Sequence, residues 1–219
     1  MILIINNSQN NIDNTTWNLK VLYIIESLLE NKNSPPVLVN TTDEMNDIIK
    51  DNKEIIKGVI LTGSELRISK PQKINKILDS ILPLLELDVP HLCICFGMQL
   101  LGLTYQAEIG SFNDTLKGNI NIKIDIECPL FENLDVSQTV FVEHNDWLAT
   151  TPIFFNLIAF GTYNNITYGI KHKTKNIYGL QFHPEFSKNG ITIYKNFLKM
   201  CSLDYNENID YNDIKEVEH

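Results

Sequence analysis

Four short apolar runs, each followed by a stretch of helical periodicity, are what most constrain the fold of this 219-residue chain. The runs are Met1–Ile5, Pro36–Val39, Gly58–Gly63 and Leu87–Ile94. Each is short and continuously apolar at its centre, the pattern of a strand covered on both faces. The stretches that follow are Thr15–Asn31, Thr42–Asp51, Pro71–Leu85 and Phe96–Ala107. They repeat apolar residues three and four apart, as at Ile74, Ile77, Leu78, Ile81 and Leu82, which is one buried helix stripe. Strand and helix alternating in this way predict an α/β fold with a mostly parallel central sheet flanked by helices. In such sheets sites form beyond the carboxyl ends of the strands. Gly63 and Cys95 both fall at such ends and are expected to share one crevice.

The pattern changes after Ala107. Asn119–Ile126, Thr139–His144, Asn156–Phe160, Ile166–His172 and Ile177–Phe182 read as strands with few helices between them. Ile120, Ile122 and Ile124 alternate with polar residues, so these additional, antiparallel strands are expected to be half open to water. Ser187–Met200 reads as a last helix with Ile191, Tyr194, Phe197 and Leu198 inward. Residues 1–200 are expected to form one domain. Residues 201–219, rich in Asp and Glu, are expected to form a mobile acidic tail.

A formal charge of −9 argues against nucleic acid or an anionic membrane as partner. No apolar run approaches a membrane span, and the first residues lack a basic signal-peptide segment. The four cysteines, Cys93, Cys95, Cys128 and Cys201, have no zinc-site spacing, and four in a chain this long do not read as a disulfide framework. No metal and no cofactor is expected, and a reducing cytoplasmic setting is.

One stretch, His91-Leu-Cys-Ile-Cys-Phe-Gly-Met-Gln-Leu-Leu-Gly102, carries chemistry. Cys95 stands where strand gives way to helix, and Gly97 is the small residue expected to permit the sharp bend. A sulfur at a helix N-terminus is favoured as thiolate, and the Phe96 amide would face the same spot. A second stretch is Tyr178-Gly-Leu-Gln-Phe-His-Pro-Glu-Phe186. If it is extended, His183 and Glu185 project to one face, with Pro184 keeping the chain extended. A base and an orienting carboxylate then come paired, and Cys–His–Glu follows the logic of a nucleophilic triad.

Cys93-Ile-Cys95-Phe-Gly97-Met-Gln99 followed by Gln181-Phe-His183-Pro-Glu185 resembles the class I (triad) glutamine amidotransferase family. That family's pattern is Gly-x-Cys-x-Gly-x-Gln and then Phe-His-Pro-Glu. The resemblance covers nearly the whole chain and implies a flavodoxin-like fold. It implies that Cys95 attacks the side-chain amide of L-glutamine, that a γ-glutamyl thioester forms, and that His183, oriented by Glu185, moves the protons. It places an oxyanion hole at the Phe96 amide and in the loop Thr62-Gly63-Ser64-Glu65-Leu66, through Gly63 and Ser64. It gives Gln99 a contact with the substrate. It likens His144-Asn-Asp146 to a family segment lining the glutamine pocket or the ammonia exit, which makes His144 and Asp146 candidate substrate-binding residues. His91 and His172 read as structural.

The chain departs from the family in two places. Ser64 and Glu65 stand where the family has a glycine-rich turn, and Glu65 would add a negative charge beside a thiolate. Cys93 stands where the family has Gly and reads as a core-packing residue. There is no P-loop or other nucleotide signature. The resemblance therefore implies a glutaminase that hands ammonia to a separate ATP-dependent synthase, with GMP synthase the closest match in size and anthranilate or aminodeoxychorismate synthase the alternatives. Two other readings are a free-standing hydrolase of γ-glutamyl amides or peptides and a non-catalytic, amidotransferase-like regulatory protein.

Overall fold

The computed structural model describes residues 1–7, 16–30, 35–40, 44–70, 74–161 and 166–214. Strands β1 (Ile2–Asn6), β2 (Val37–Asn40), β3 (Gly58–Leu61) and β4 (His91–Ile94) alternate with helices α1 (Thr16–Leu28), α2 (Glu44–Asn52), α3 (Ile74–Leu85) and α4 (Phe96–Thr104). Then come β5 (Ile109–Ile124), β6 (Ser137–Leu148), β7 (Phe155–Gly161), β8 (Thr167–His172) and β9 (Ile177–Leu180), followed by α5 (Gly190–Met200) and α6 (Tyr211–Ile214). All nine strands form one sheet in the order β2-β1-β3-β4-β9-β8-β7-β5-β6. From β2 to β9 the pairs are parallel. From β9 to β6 they are antiparallel. This is the expected mixed α/β architecture.

The core lies on both faces of the sheet. On one face Ile2, Ile4, Ile60, Leu92 and Ile94 pack with α1 and α5 through Val21, Ile25, Leu28, Tyr194 and Phe197. On the other, Leu3, Ile5, Val59 and Leu61 pack with α2, α3 and α4 through Met45, Ile77, Ile81, Met98 and Leu101. Successive strand residues point to opposite faces. Two covered faces therefore require apolar residues at every position, which is the continuous pattern of β1 and β3.

Four expectations need correction. The strand expected at Asn119–Ile126 is the end of β5, which starts ten residues earlier at Ile109 and pairs with β6 almost throughout. Backbone pairing, not burial, makes the outer half of that hairpin, so its polar residues hid it. The terminal segment expected to be mobile is packed as far as it is described. Tyr205 bridges to Leu29, the Asn206 amide donates to the Leu28 carbonyl at 2.8 Å, and Ile214 is buried. Scattered apolar residues (Leu203, Tyr205, Ile209, Ile214) reach the α1–α5 face of the core. Residues 215–219, and the expected helix starts at Thr15, Thr42 and Pro71, lie outside the described residues. The third and fourth corrections concern the candidate site. Among the described residues no helix is long and apolar enough to cross a membrane.

Candidate active site

Cys95 stands between β4 and α4 with φ 50° and ψ −105°. That region is sparsely populated for a residue with a Cβ. The bend is held at both ends: the Cys95 amide donates to the Leu180 carbonyl at 2.6 Å, and the Cys95 carbonyl accepts from the Gln99 amide at 3.0 Å. The unusual backbone thus belongs to Cys95 itself. Gly97, expected to permit the bend, is an ordinary helical residue. A Cβ there would lie 2.5 Å from the Leu61 carbonyl oxygen. Its lack of a side chain lets α4 press against β3, and that is the third correction.

The fourth concerns His183 and Glu185. β9 ends at Leu180, and Pro184–Phe186 is a single 3₁₀ turn. His183 is extended, as a residue before proline tends to be, and the turn curls Glu185 back toward it. Glu185 Oε1 accepts from His183 Nδ1 at 2.7 Å, and both side chains are 1% exposed. The pair is therefore made by a turn and not by a shared strand face. The His183 amide donates to the Phe141 carbonyl at 2.8 Å, bridging to β6. Ser187 Oγ donates to the His183 carbonyl at 2.9 Å. From α5, the Tyr194 hydroxyl donates to Glu185 Oε2 at 3.4 Å.

Burial alone would push the His183 pKa down. The Glu185 carboxylate on one side and Cys95 on the other outweigh it and hold His183 well above its ordinary value. Gly63 touches both groups: a Cβ there would stand 3.1 Å from His183 Cε1 and 3.8 Å from Cys95 Cβ. The glycine-poor loop that follows is pinned by its serine. Ser64 Oγ donates to the Asn7 carbonyl at 3.0 Å and accepts from the Leu66 amide at 3.1 Å. Glu65 is exposed at the rim.

These groups open on a cavity of about 200 Å³ lined by Cys95, Phe96, Gln99, Ser64, His144 and Trp17, among others. Its size suits one small polar molecule, being below the roughly 300–1,000 Å³ of pockets for drug-sized ligands. Asp146 Oδ1 accepts from Arg67 Nη2 (3.2 Å) and Ser111 Oγ (2.6 Å), and Oδ2 from the Ser69 amide (2.9 Å). Burial would raise the Asp146 pKa, but the Ser111 hydroxyl, Ser69 and Arg67 outweigh it and bring it below the usual value. These contacts fasten the loop after β3 to the β5–β6 hairpin. From the same segment the His144 ring lines the cavity, buried, with neither nitrogen bonded to a described residue. Burial and the His183 charge push it down to about 4, and the Asp146 backbone and carboxylate offset only part of this. Gln99 is buried and gives both amide hydrogens to protein acceptors, the Asp146 carbonyl and Gln181.

Arg67, Glu143, Trp17 and Gln181 also belong to the site, and the sequence reading assigned none of them a role. Gln181 lay inside the quoted motif. The others had no local signal, because only the hairpin and the α1 packing bring them in. Cys93 is fully buried in the core on the α2–α4 side of the sheet, and burial raises its thiol pKa. His91 places its ring nitrogens 2.7 and 2.8 Å from the Val89 and Leu84 carbonyls, and His172 Nδ1 accepts from the Lys175 amide. Both read as structural, as expected. Among the described residues no cluster of three or more His, Cys, Asp or Glu is arranged to hold a metal.

A cysteine on a strained strand-to-helix turn, beside a buried His–Glu pair and a small polar cavity, is the geometry of a hydrolytic triad on an α/β sheet. Residues 13–201 match the family Glutamine amidotransferase class-I, and the chain belongs to that family. Over 205 residues it is 33% identical to the glutamine-hydrolyzing subunit of the GMP synthase of Methanococcus aeolicus, covering 93% of this chain and 98% of that one. It is 37% identical over 184 residues to the glutamine-hydrolyzing GMP synthase of Francisella philomiragia, covering 80% of this chain and 34% of that longer protein. A solved structure described as the corresponding GMP synthase subunit from Thermoplasma acidophilum shares the fold, with a TM-score of 0.74 at 23% identity over 92% of this chain and 93% of that one.

Proposed function

We propose that this chain is a glutamine-hydrolysing subunit that supplies ammonia to a separate synthase, with GMP synthase the favoured partner. The observation that carries the reading is the placement of Cys95, on a strained turn beside the buried His183–Glu185 pair, at the wall of the cavity. The similarity to the glutamine-hydrolyzing subunit of GMP synthase, along almost the full length, supports the choice of partner. So does the lack of any nucleotide-binding motif in this sequence.

In this reading the Cys95 thiolate attacks the Cδ carbon of L-glutamine. The amide oxygen gains the negative charge and is met by the Phe96 amide and by the Gly63–Ser64 backbone. His183, protonated because Glu185 and Cys95 outweigh burial, gives its proton to the departing nitrogen. The C–N bond breaks, ammonia leaves, and a γ-glutamyl thioester remains. Neutral His183 then takes a proton from water as its oxygen attacks the thioester carbon. The C–S bond breaks, glutamate leaves, and the thiolate–imidazolium pair is restored. His144, uncharged and unpartnered at the cavity wall, suits contact with glutamine or with neutral ammonia. Asp146 acts by holding the wall in place.

The test is trapping with 6-diazo-5-oxo-L-norleucine, read by intact mass and peptide mapping, on native protein and Cys95→Ala. A single adduct at Cys95, blocked by excess glutamine, is expected. Folded native protein that gains no adduct at Cys95, with and without a candidate synthase, overturns the reading.

A further inference from the structure

Two buried amide side chains are locked in an order that ends on the Cys95 sulfur. Gln99 Nε2 lies 2.6 Å from the Asp146 carbonyl oxygen and 3.2 Å from Gln181 Oε1. A backbone carbonyl only accepts, so the Gln99 atom facing it must be the NH₂ group. Its second hydrogen points at Gln181, so the Gln181 atom there must be the oxygen. The Gln181 NH₂ group is then left facing Cys95 Sγ, at 3.6 Å. Flipping either amide would set two acceptors or two donors against each other, so the network fixes the assignment. Gln181 is fully buried, and water does not compete for that hydrogen.

We propose that Gln181 is a catalytic residue whose side-chain N–H stabilises the Cys95 thiolate, and that Gln99 and the Asp146 carbonyl position it. This rests on the reading of Cys95 as the nucleophile. The donor can only give a hydrogen to the sulfur, and it gives it best when the sulfur is charged. It therefore acts at two points of the cycle. It favours the thiolate before attack, and it stabilises the sulfur again as the thioester breaks and the thiolate leaves. In the thioester between these steps the sulfur carries no full charge, and the contact weakens. The Gln99 side chain, having given both hydrogens to the protein, has only its oxygen left for a substrate.

The test is alkylation by iodoacetamide without glutamine, from pH 5 to pH 9, with the modified cysteine identified by peptide mass. Native protein is compared with Gln181→Met, which removes the donor, and Gln181→Glu, which keeps the shape and turns an acceptor toward the sulfur. Alkylation of Cys95 near pH 6.5 is expected to fall about tenfold in Gln181→Met (~1.4 kcal/mol, the low end for a hydrogen bond to a charged group). It falls further in Gln181→Glu. The midpoint of the rate-against-pH curve moves up in both, and at pH 9 the rates approach the native one. A role confined to packing would lower the rate evenly across pH and leave the midpoint in place. Native-like midpoints in both variants overturn the proposal while leaving Cys95 the nucleophile. If Cys95 in native protein reacts no faster than Cys128 or Cys201, the nucleophile reading itself fails, and this inference falls with it.

Discussion

Exchanging Glu185 for Gln removes a charge and almost nothing else. The new side chain would keep an oxygen for His183 Nδ1, which Glu185 Oε1 meets at 2.7 Å with both side chains 1% exposed. With charge centres roughly 4 Å apart and an effective dielectric near 20, the lost attraction is ~4 kcal/mol. Burial pulls His183 toward the neutral form, so with the carboxylate gone burial prevails. A neutral imidazole cannot hand a proton to a departing amine. About 4 kcal/mol corresponds to roughly a thousandfold in rate, and inactivation by 6-diazo-5-oxo-L-norleucine at pH 7.5 is expected to fall by about that factor. Stability changes less, because the imidazole sheds its proton and is not left as an unpaired buried charge. The folded-state pKa of His183 is raised, so the native pair stabilises fully below the unfolded value of about 6.5, and its contribution is lost as pH rises through the folded value. The gap in thermal midpoint between native and Glu185→Gln should therefore be widest near pH 6 and close at alkaline pH. An inactivation rate within about threefold of native, or a gap that widens as pH rises, refutes this account of His183.

Gly97→Ala would drive a Cβ to 2.5 Å from the Leu61 carbonyl. The strain of separating α4 from β3 is expected to cost about 1–3 kcal/mol in urea melts. His144, brought down to about 4, should stay neutral, and its ring protons should show no titration by NMR between pH 5.5 and 8. Asp146→Asn loses the charge facing Arg67 and should destabilise by about 1–2 kcal/mol at pH 7. Because the folded-state pKa of Asp146 is lowered, that difference should vanish as pH falls from about 3.9 through the folded value.

What could be read from the sequence follows where the information was local. β1 and β3 need apolar residues at every position because each touches both halves of the core, and that demand is written in consecutive letters. The Cys95 turn and the His183–Glu185 pair each lie within a few residues of chain, so their types and spacing were visible. Their geometry was not, because the turn at Pro184–Phe186 depends on bridging to Phe141 and Ser187. The outer part of β5 is defined by its partner β6 rather than by its own composition, and Ser111–Gly118 gave no strand pattern. Arg67 and Asp146 are 79 positions apart. Gln99 and Gln181 are 82 apart. Such pairings appear only when β9 docks beside β4 and the hairpin folds across the crevice. The packed segment up to Ile214 was hidden for a related reason, since four apolar side chains spaced among acids have no period.

The backbone at Cys95 allows a last test that separates stability from chemistry. At φ 50° and ψ −105°, a side chain with a Cβ carries strain of about 1–3 kcal/mol. Elsewhere Gly is less stable than Ala by roughly 0.5–1 kcal/mol through chain entropy. Here relief of strain should outweigh that entropy, so Cys95→Gly should be more stable than Cys95→Ala by about 1 kcal/mol, or a few degrees in thermal midpoint. The order of the two midpoints decides it. If Cys95→Ala melts higher by the usual margin, the turn stores no strain. If Cys95→Gly melts higher, the fold by itself would favour glycine at this position. A cysteine held there, by the Leu180 carbonyl on one side and the Gln99 amide on the other, is then maintained against stability. The gain must come from where the turn puts the sulfur: at the mouth of the cavity, between His183 and the Gln181 amide.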